Sequence, residues 1–299
     1  MNAMEQTAHV RLELSSSAEN VPVVRQVLSG LADATGLSSA DLNDIGTAVT
    51  EACNNASLHA YGEDAGPLEV ELLARQASVV VTVRDRGMGL ALDGEAPVEF
   101  PSDVDGELAG IGVPSIKALT RSARWSAPPG GGTKVEMTFA TGSLAWEDAS
   151  TEHAFSGPVA GERSSLDGAI EVRMAPVSIA RSVLPRLLRV MAARAHFPVQ
   201  RDADVQRVGS VVLAADASGW ASAGVQARVA AASDSLELAI GPMSNEDVSR
   251  LALAARAAEP RLRTSAELLD GGPQRLVLHV ERSPITQRAD SRSTSDEPT

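Results

Sequence analysis

Apolar and polar residues alternate through His9–Leu14, HVRLEL, the two-residue period of a half-buried strand. The period then lengthens. Across residues 19–34 the apolar positions Val23, Val24, Val27, Leu28 and Leu31 fall at helical spacing. Ser38 offers an N-cap with Asp41 three residues on. A helix of about five turns is predicted to follow, through Leu42, Ile45, Val49, Ala52 and Ala56. GEDAGP at 62–67 is loop chemistry, and LEVELL (68–73) and SVVVTVRD (78–85) predict two adjacent strands. An acidic segment spaced by Gly and Pro runs from Gly87 to Gly112. VPSIKALTR then predicts a short helix, and after the turn PPGGG, TKVEMTF (133–139) predicts another strand.

Residues 142–167 are rich in Ser, Gly, Glu, Asp, Pro and Ala with little apolar content, and read as a linker. The pattern then restarts. A strand is predicted at 170–174, helices at 178–194 and 202–218, strands in GVQARVAAA and SLELAI, a helix in NEDVSRLALAARAAE, and strands in RTSAELL and QRLVLHVER. The polar tail 284–299 reads as disordered. The same order occurs twice: strand, helix, helix, strand, strand, helix, then strand or strands. TAVTEACNNAS (47–57) and SVVLAADASGW (210–220) align without a gap, which predicts an internal duplication with two domains, 1–141 and 168–283. A doubly wound sheet needs alternating strands and helices and is excluded. The order fits an α+β fold, a two-layer α/β sandwich with helices on one face of a mixed sheet.

Composition narrows the functions. The 299 residues carry a formal charge of −13, a surface that repels phosphate backbones and argues against nucleic acid. Aromatics make up 3% of the chain, so the cores must be aliphatic. One cysteine, Cys53, excludes an internal disulfide framework and fits a reducing compartment. The first residues have no charged-then-apolar signal pattern, and no apolar run approaches the ~18 residues of a membrane helix. A cytoplasmic protein away from membranes is the expectation, and the Ala-, Val-, Arg- and Asp-rich composition resembles that of GC-rich bacterial genomes.

Four short patterns carry candidate chemistry. In EACNNASLHA (51–60), Glu51 and Asn55 are four apart and project from one side of a helix, beside the stripe Ile45-Val49-Ala52-Ala56. A carboxylate and an amide at the rim of a core can hold a divalent cation or orient a water; they can equally form a solvated face. Asp85 ends a strand in VRDRGMG, followed by Gly87 and Gly89. It can accept an exocyclic amine, or D-x-G-x-G can be only a turn. Gly110 and Gly112 precede a helix, where glycines let phosphates approach backbone N–H groups. Thr133 opens a strand after GGG and can hydrogen-bond inward through a water.

In this order, E-x-x-x-N, D-x-G-x-G, G-x-G and G-G-T resemble the GHKL (Bergerat-fold) ATP-binding family of gyrase, Hsp90, histidine kinases and MutL. EACNNASLHAY and GGGTKVEMTF are most similar to its anti-sigma-factor serine/threonine kinase branch. The resemblance covers residues 8–140. It implies ATP with Mg²⁺ as ligands, Glu51 as general base, Asn55 as ligand to Mg²⁺ on the phosphates and Asp85 as acceptor of the adenine amine. It also implies a pocket floor at Gly87 and Gly89, phosphate contacts from a hinged lid at Gly110 and Gly112, and support of adenine by Thr133. Asn54 is expected to have no role, Cys53 to serve packing, and His59 to be a helix-end or core histidine.

Two features depart from that pattern. Residues 90–111 hold six acids (Asp93, Glu95, Glu99, Asp103, Asp105 and Glu107) and no Lys or Arg, so a triphosphate beneath them needs Mg²⁺ to compensate. The nearest cations in sequence are Arg86, Lys117 and Lys134. In the second half, Ala214 and Ser218 align with Glu51 and Asn55, and IGPMS stands at the D-x-G-x-G position, so the repeat is expected to be a degenerate GHKL-like domain without a nucleotide site. The resemblance implies a kinase acting on an anti-sigma-factor antagonist; the alternative is an ATP-bound switch that sequesters a protein partner without phosphotransfer. The partner class is a sigma factor or its antagonist, and the assembly either a homodimer or a pseudo-dimer within one chain.

Overall fold

The structure, a computed structural model, describes residues 7–62, 64–89, 112–146, 168–214, 217, 220, 224–269 and 273–281. The first half runs β1 (Thr7–Ser15), α1 (Val21–Thr35), α2 (Ser39–Asn55), a π-helical turn (Ala56–Ala60), β2 (Pro67–Arg75), β3 (Ser78–Asp85), α3 (Val113–Leu119), β4 (Ser122–Ser126) and β5 (Lys134–Ala140). The second half runs β6 (Ile170–Ala175), α4 (Val177–Arg194), α5 (Val199–Ala214), β7 (Val225–Ala231), β8 (Ser235–Met243), α6 (Asn245–Ala258), β9 (Arg263–Leu268) and β10 (Gln274–Glu281). The expected cap of α2 is present: Ser38 Oγ accepts from Asp41 N at 3.1 Å and lies 2.7 Å from the Asp41 carboxylate. β4 has no counterpart in the sequence expectations.

All ten strands form one sheet in the order β4-β5-β3-β2-β1-β6-β7-β8-β10-β9, with the helices on one face. Alternate residues point into the core: Ala8, Val10, Leu12 and Leu14 of β1 are fully buried, and Val79, Val81 and Val83 of β3 nearly so. The sheet is not mixed as expected, because every ladder is antiparallel. A single crossover helix returns the chain to the end where it began and gives a parallel neighbour. Here α1 and α2 act as a pair and deliver β2 antiparallel to β1. α3 does run between two parallel strands, β3 and β4, but β5 is inserted between them.

The two halves meet at β1 and β6, where Arg11 stands opposite Arg173 and Glu13 opposite Glu171. Like charges across a ladder repel. Here each like-charged pair has an opposite charge beside it: Arg11 reaches Glu69 at 2.9 Å, and Glu171 lies 3.9 Å from Arg275. On the other face α1 packs against α4, with Asp33 bonded to Arg186, and Arg194 bonded to Asn20 at 2.7 Å. The core is one continuous cluster from Ala8 to Val280.

Helix register differs from the ungapped alignment. α2 and α5 begin at 39 and 199, and their buried positions 45, 48, 49, 52 and 53 recur at 205, 208, 209, 212 and 213. The preceding helices end alike at the same spacing, Leu37 N on Ala32 O and Phe197 N on Ala192 O. The structural offset is therefore 160, not 163, and it sets Val211, not Ala214, opposite Glu51; Ser218, expected opposite Asn55, lies outside the described residues. Residues 142–146, expected as linker, pack on the first half instead. Leu144 and Trp146 are buried, and Leu144 N and Ala145 N bond Gln76 O and Thr35 O. Residues 147–167 and the tail 284–299 lie outside the described residues.

The crossing of α1 and α4 depends on Gly30. A Cβ there would stand 2.7 Å from Val183 Cα and 2.9 Å from the carbonyl of Ser182. Gly30→Leu is expected to destabilise the protein by about 1–3 kcal/mol, the cost of overpacking. Chemical denaturation measures it, and an unchanged midpoint would mean that the two helices do not cross here in solution.

Candidate functional site

A cleft of about 650 Å³ opens between the end of α2, the ends of β3 and β5, and α3. The helix side is lined by Ala52, Ala56 and Ala60, small residues that leave space between helix and sheet, together with Asn55 and His59. Val83, Val135, Trp125, Ile116 and Val113 form apolar walls, and Asp85, Gly89 and Thr133 close the sheet end. The lining suits a small ligand with an apolar body and a few fixed polar contacts.

Asp85 continues the inward row Val79-Val81-Val83, so the two-residue period of β3 turns a carboxylate toward the core. It is buried, with 6% of its surface exposed, and burial raises its pKa. Hydrogen bonds from Gly87 N (2.9 Å) and Thr133 N (3.1 Å) to Oδ1 oppose that rise. Asp85 N in turn donates to Thr133 O at 2.9 Å. Close backbone approach makes this possible. A Cβ on Gly87 would overlap the carbonyl of Ala60, and one on Gly132 the carbonyl of Asp85.

The helix end carries the other half of the site. After Asn55 the helix widens into the π turn Ala56–Ala60, a distortion common at functional sites. Its last carbonyl, Ala60 O, accepts Met88 N at 2.8 Å. Tyr61 Oη donates to Pro67 O (2.5 Å) and accepts from Arg86 N (2.7 Å). Glu51, one turn before Asn55, lies against Gly112: a Cβ on Gly112 would be 2.5 Å from Glu51 Oε2. Gly112 has φ +66° and caps the N-terminus of α3.

Of the residues singled out from sequence, Asn55, Asp85, Gly89 and Thr133 line the one cleft. Gly87 lies behind Asp85, and Glu51 and Gly112 meet beside the cleft. Gly110 and the six acids of 90–111 lie outside the described residues. Thr133 bonds Asp85 through its backbone N–H, a contact that the sequence reading of an inward, water-mediated hydrogen bond and support of adenine did not include. Lys134 is paired with Glu136 at 3.2 Å. His59 is exposed at the rim, a helix-end residue and not a core one. Sequence reasoning missed Trp125, Tyr61 and Gly132. The glycine run before Thr133 was a signal for the last.

A family model for the histidine kinase-like ATPase domain matches residues 14–139. The chain is 31% identical over 132 residues to the anti-sigma F factor of Pasteuria penetrans, covering 43% of this chain and 87% of that protein. It is 28% identical over 101 residues to the serine-protein kinase RsbW of Bacillus cereus, covering 34% of this chain, and spans 63% of that relative's length. A Bacillus anthracis serine-protein kinase RsbW matches at 27% over 101 residues, with the same coverage.

Cys53 fits its expected packing role. It is buried on α2 beside the cleft-lining Ala52, and burial pushes its thiol up to about 12. The thiolate is the reactive form. Native protein at pH 8 is therefore expected to resist a chromogenic disulfide reagent and to react fully in denaturant. Rapid modification of the folded protein would show that α2 does not hold Cys53 inside.

Proposed function

The chain belongs to the family of histidine kinase-like ATPase domains, and from that premise we propose that it is an ATP-binding serine/threonine protein kinase of the anti-sigma-factor type, acting on a regulatory protein partner. The observation that carries the reading is the convergence of Asn55, Asp85, Gly89 and Thr133 on one apolar-walled cleft, with Glu51 one helical turn away beside the cap of α3. Asp85, fixed through Oδ1, accepts the exocyclic amine of adenine. Thr133 supports the base from the strand side, and Gly87 and Gly89 shape the floor. Gly110 and Gly112 carry the lid side of the phosphates. Glu51 accepts the proton of an incoming serine or threonine hydroxyl as its oxygen bonds the γ-phosphorus and the bond to ADP breaks.

The donor set also suits Mg²⁺. Among the described residues no group of three or more His, Cys, Asp or Glu could hold a metal alone. Mg²⁺ is commonly held by one or two protein oxygens together with substrate phosphates and water. The side-chain oxygen of Asn55 at the cleft wall meets that requirement, and the ion would neutralise phosphate charge.

The second half supports a single site per chain. Val211 stands 160 residues on from Glu51, and Trp220, fully buried, 160 on from Ala60. Pro242 occupies the strand-end position of Asp85, and only Ser244 separates β8 from α6, where the first half has its long acidic segment. The half paired with β1 and α1 is thus a nucleotide-free counterpart, and the chain is a pseudo-dimer in itself. Sedimentation equilibrium should find a monomer. Titration should find one nucleotide per chain; two sites, or a stable dimer through the first half alone, would refute this arrangement.

Calorimetry with Mg-ATP tests the site. Asn55→Ala should weaken binding by about tenfold or more, the loss of a charge-assisted contact. Glu51→Ala should bind normally and lose about 10²-fold or more in transfer to the partner. Retained transfer in Glu51→Ala would remove the general base. Absent transfer in the wild type, with binding intact, would leave an ATP-bound sequestering protein. No binding at millimolar ATP would sink both.

A further inference from the structure

The loop after Asp85 presents three consecutive backbone N–H groups, and each has a separate acceptor. Arg86 N donates to Tyr61 Oη at 2.7 Å, Gly87 N to Asp85 Oδ1 at 2.9 Å, and Met88 N to Ala60 O at 2.8 Å. Two of the three acceptors therefore belong to the end of the helix that carries Asn55. Tyr61 does more than accept. Its hydroxyl donates to Pro67 O at 2.5 Å, and Pro67 opens β2 next to Leu68, the residue paired with Asp85. Its ring lies flat enough on Gly66 that any Cβ there would overlap it, and Gly66 is tied to β1 through Ser16, by Ser16 N on Gly66 O at 2.7 Å. One phenol oxygen thus bridges the residue after Asp85 and the strand beside Asp85. It is the only tyrosine in the chain.

We propose that Tyr61 is a positioning residue for base selection: it sets the Asp85 loop against the helix end, so that the carboxylate meets the exocyclic amine of the purine. The inference rests on the reading of Asp85 as the adenine acceptor. A hydrogen bond to a base is sensitive to displacements well under an ångström, because its strength falls steeply away from optimal distance and angle. A site built around a donor also discriminates strongly against a ligand that lacks it, since the acceptor is then left buried without a partner. Losing the Tyr61 bridge removes a partner from Arg86 N–H and from Pro67 C=O together, and the pair Asp85–Leu68 is the next one along the ladder. Apolar contacts to Val83, Ile116, Trp125 and Val135 do not depend on that bridge, so affinity for a purine without the amine should barely change.

The test compares Mg-ATP with Mg-ITP, which has a carbonyl in place of the amine, in wild type and Tyr61→Phe, measuring each dissociation constant by calorimetry. Phenylalanine keeps the ring on Gly66, and circular dichroism checks the fold. The expected result is a wild-type preference for ATP, and in Tyr61→Phe an ATP dissociation constant raised about tenfold with ITP changed less than about twofold. Equal loss for both nucleotides, or an unchanged ratio, would make Tyr61 a structural staple only and overturn the inference. A wild type without preference would overturn the base-reading role of Asp85, and this inference with it. Because Tyr61 is the sole tyrosine, growth on 3-fluorotyrosine labels it alone without a mutation. Its ¹⁹F resonance should differ between the ATP and ITP complexes, and coincident resonances would count against the proposal whatever the behaviour of Tyr61→Phe.

Discussion

A carboxylate turned inward by a strand is the constraint from which the site follows. The two-residue period of β3 gives no choice: if Val79, Val81 and Val83 face the helices, so does Asp85. Burying an ionised group is costly unless hydrogen bonds replace its water. Two backbone N–H groups do so here, from Gly87 and Thr133, and they come from different segments. Bringing both within reach of one oxygen demands backbone contact that side chains would block, which accounts for glycine at 87 and 132. The inward carboxylate, the glycines around it and the small residues Ala52, Ala56 and Ala60 on the facing helix are one solution to one packing problem. It leaves a cavity with a fixed polar end.

The rest of the molecule stabilises that arrangement from the far side. β1 would be an edge strand if the first half stood alone, and α1 would present Val183-facing Gly30 to water. Edge strands invite further pairing. The second half occupies that edge and that helix face within the same chain, so one core runs through both. The seam places like charges opposite each other at Arg11 and Arg173 and at Glu13 and Glu171, and alternation along the strands lets each neutralise its neighbour.

Much of this was legible from residue patterns because it rests on period and local chemistry. The strands and helices around Val10, Val27, Ile45 and Val81, the Ser38 cap and the polar positions Asn55 and Asp85 need only spacing to be recognised. What was not legible depends on contacts distant in sequence. β4, SARWS, has only Ala123 and Trp125 facing inward and no β-branched residue, so nothing marks it as a strand until β5 pairs with it, and the Trp125 wall was lost with it. The all-antiparallel ladder depends on β5 inserting between β3 and β4. The helix offset of 160 appears only once buried faces are compared, because Ala-rich segments slide past one another in sequence with little penalty. Nothing in the spacing singled out Tyr61, because it reaches Pro67 and Arg86 across a turn.

The same comparison shows how the described residues of the second half differ where the first half has its cleft. A cleft needs small residues on the helix, a polar strand end and a gap in the chain before the next helix. The first half has Ala60, Asp85 and 27 residues between β3 and α3; the second has Trp220, Pro242 and the lone Ser244. Each of these differences puts bulk or a short connection where the first half has space. The seam at β1 and β6 must match itself, so the strands nearest the site, at the far end from that seam, are where the two halves differ most in chemistry while the order of elements stays the same.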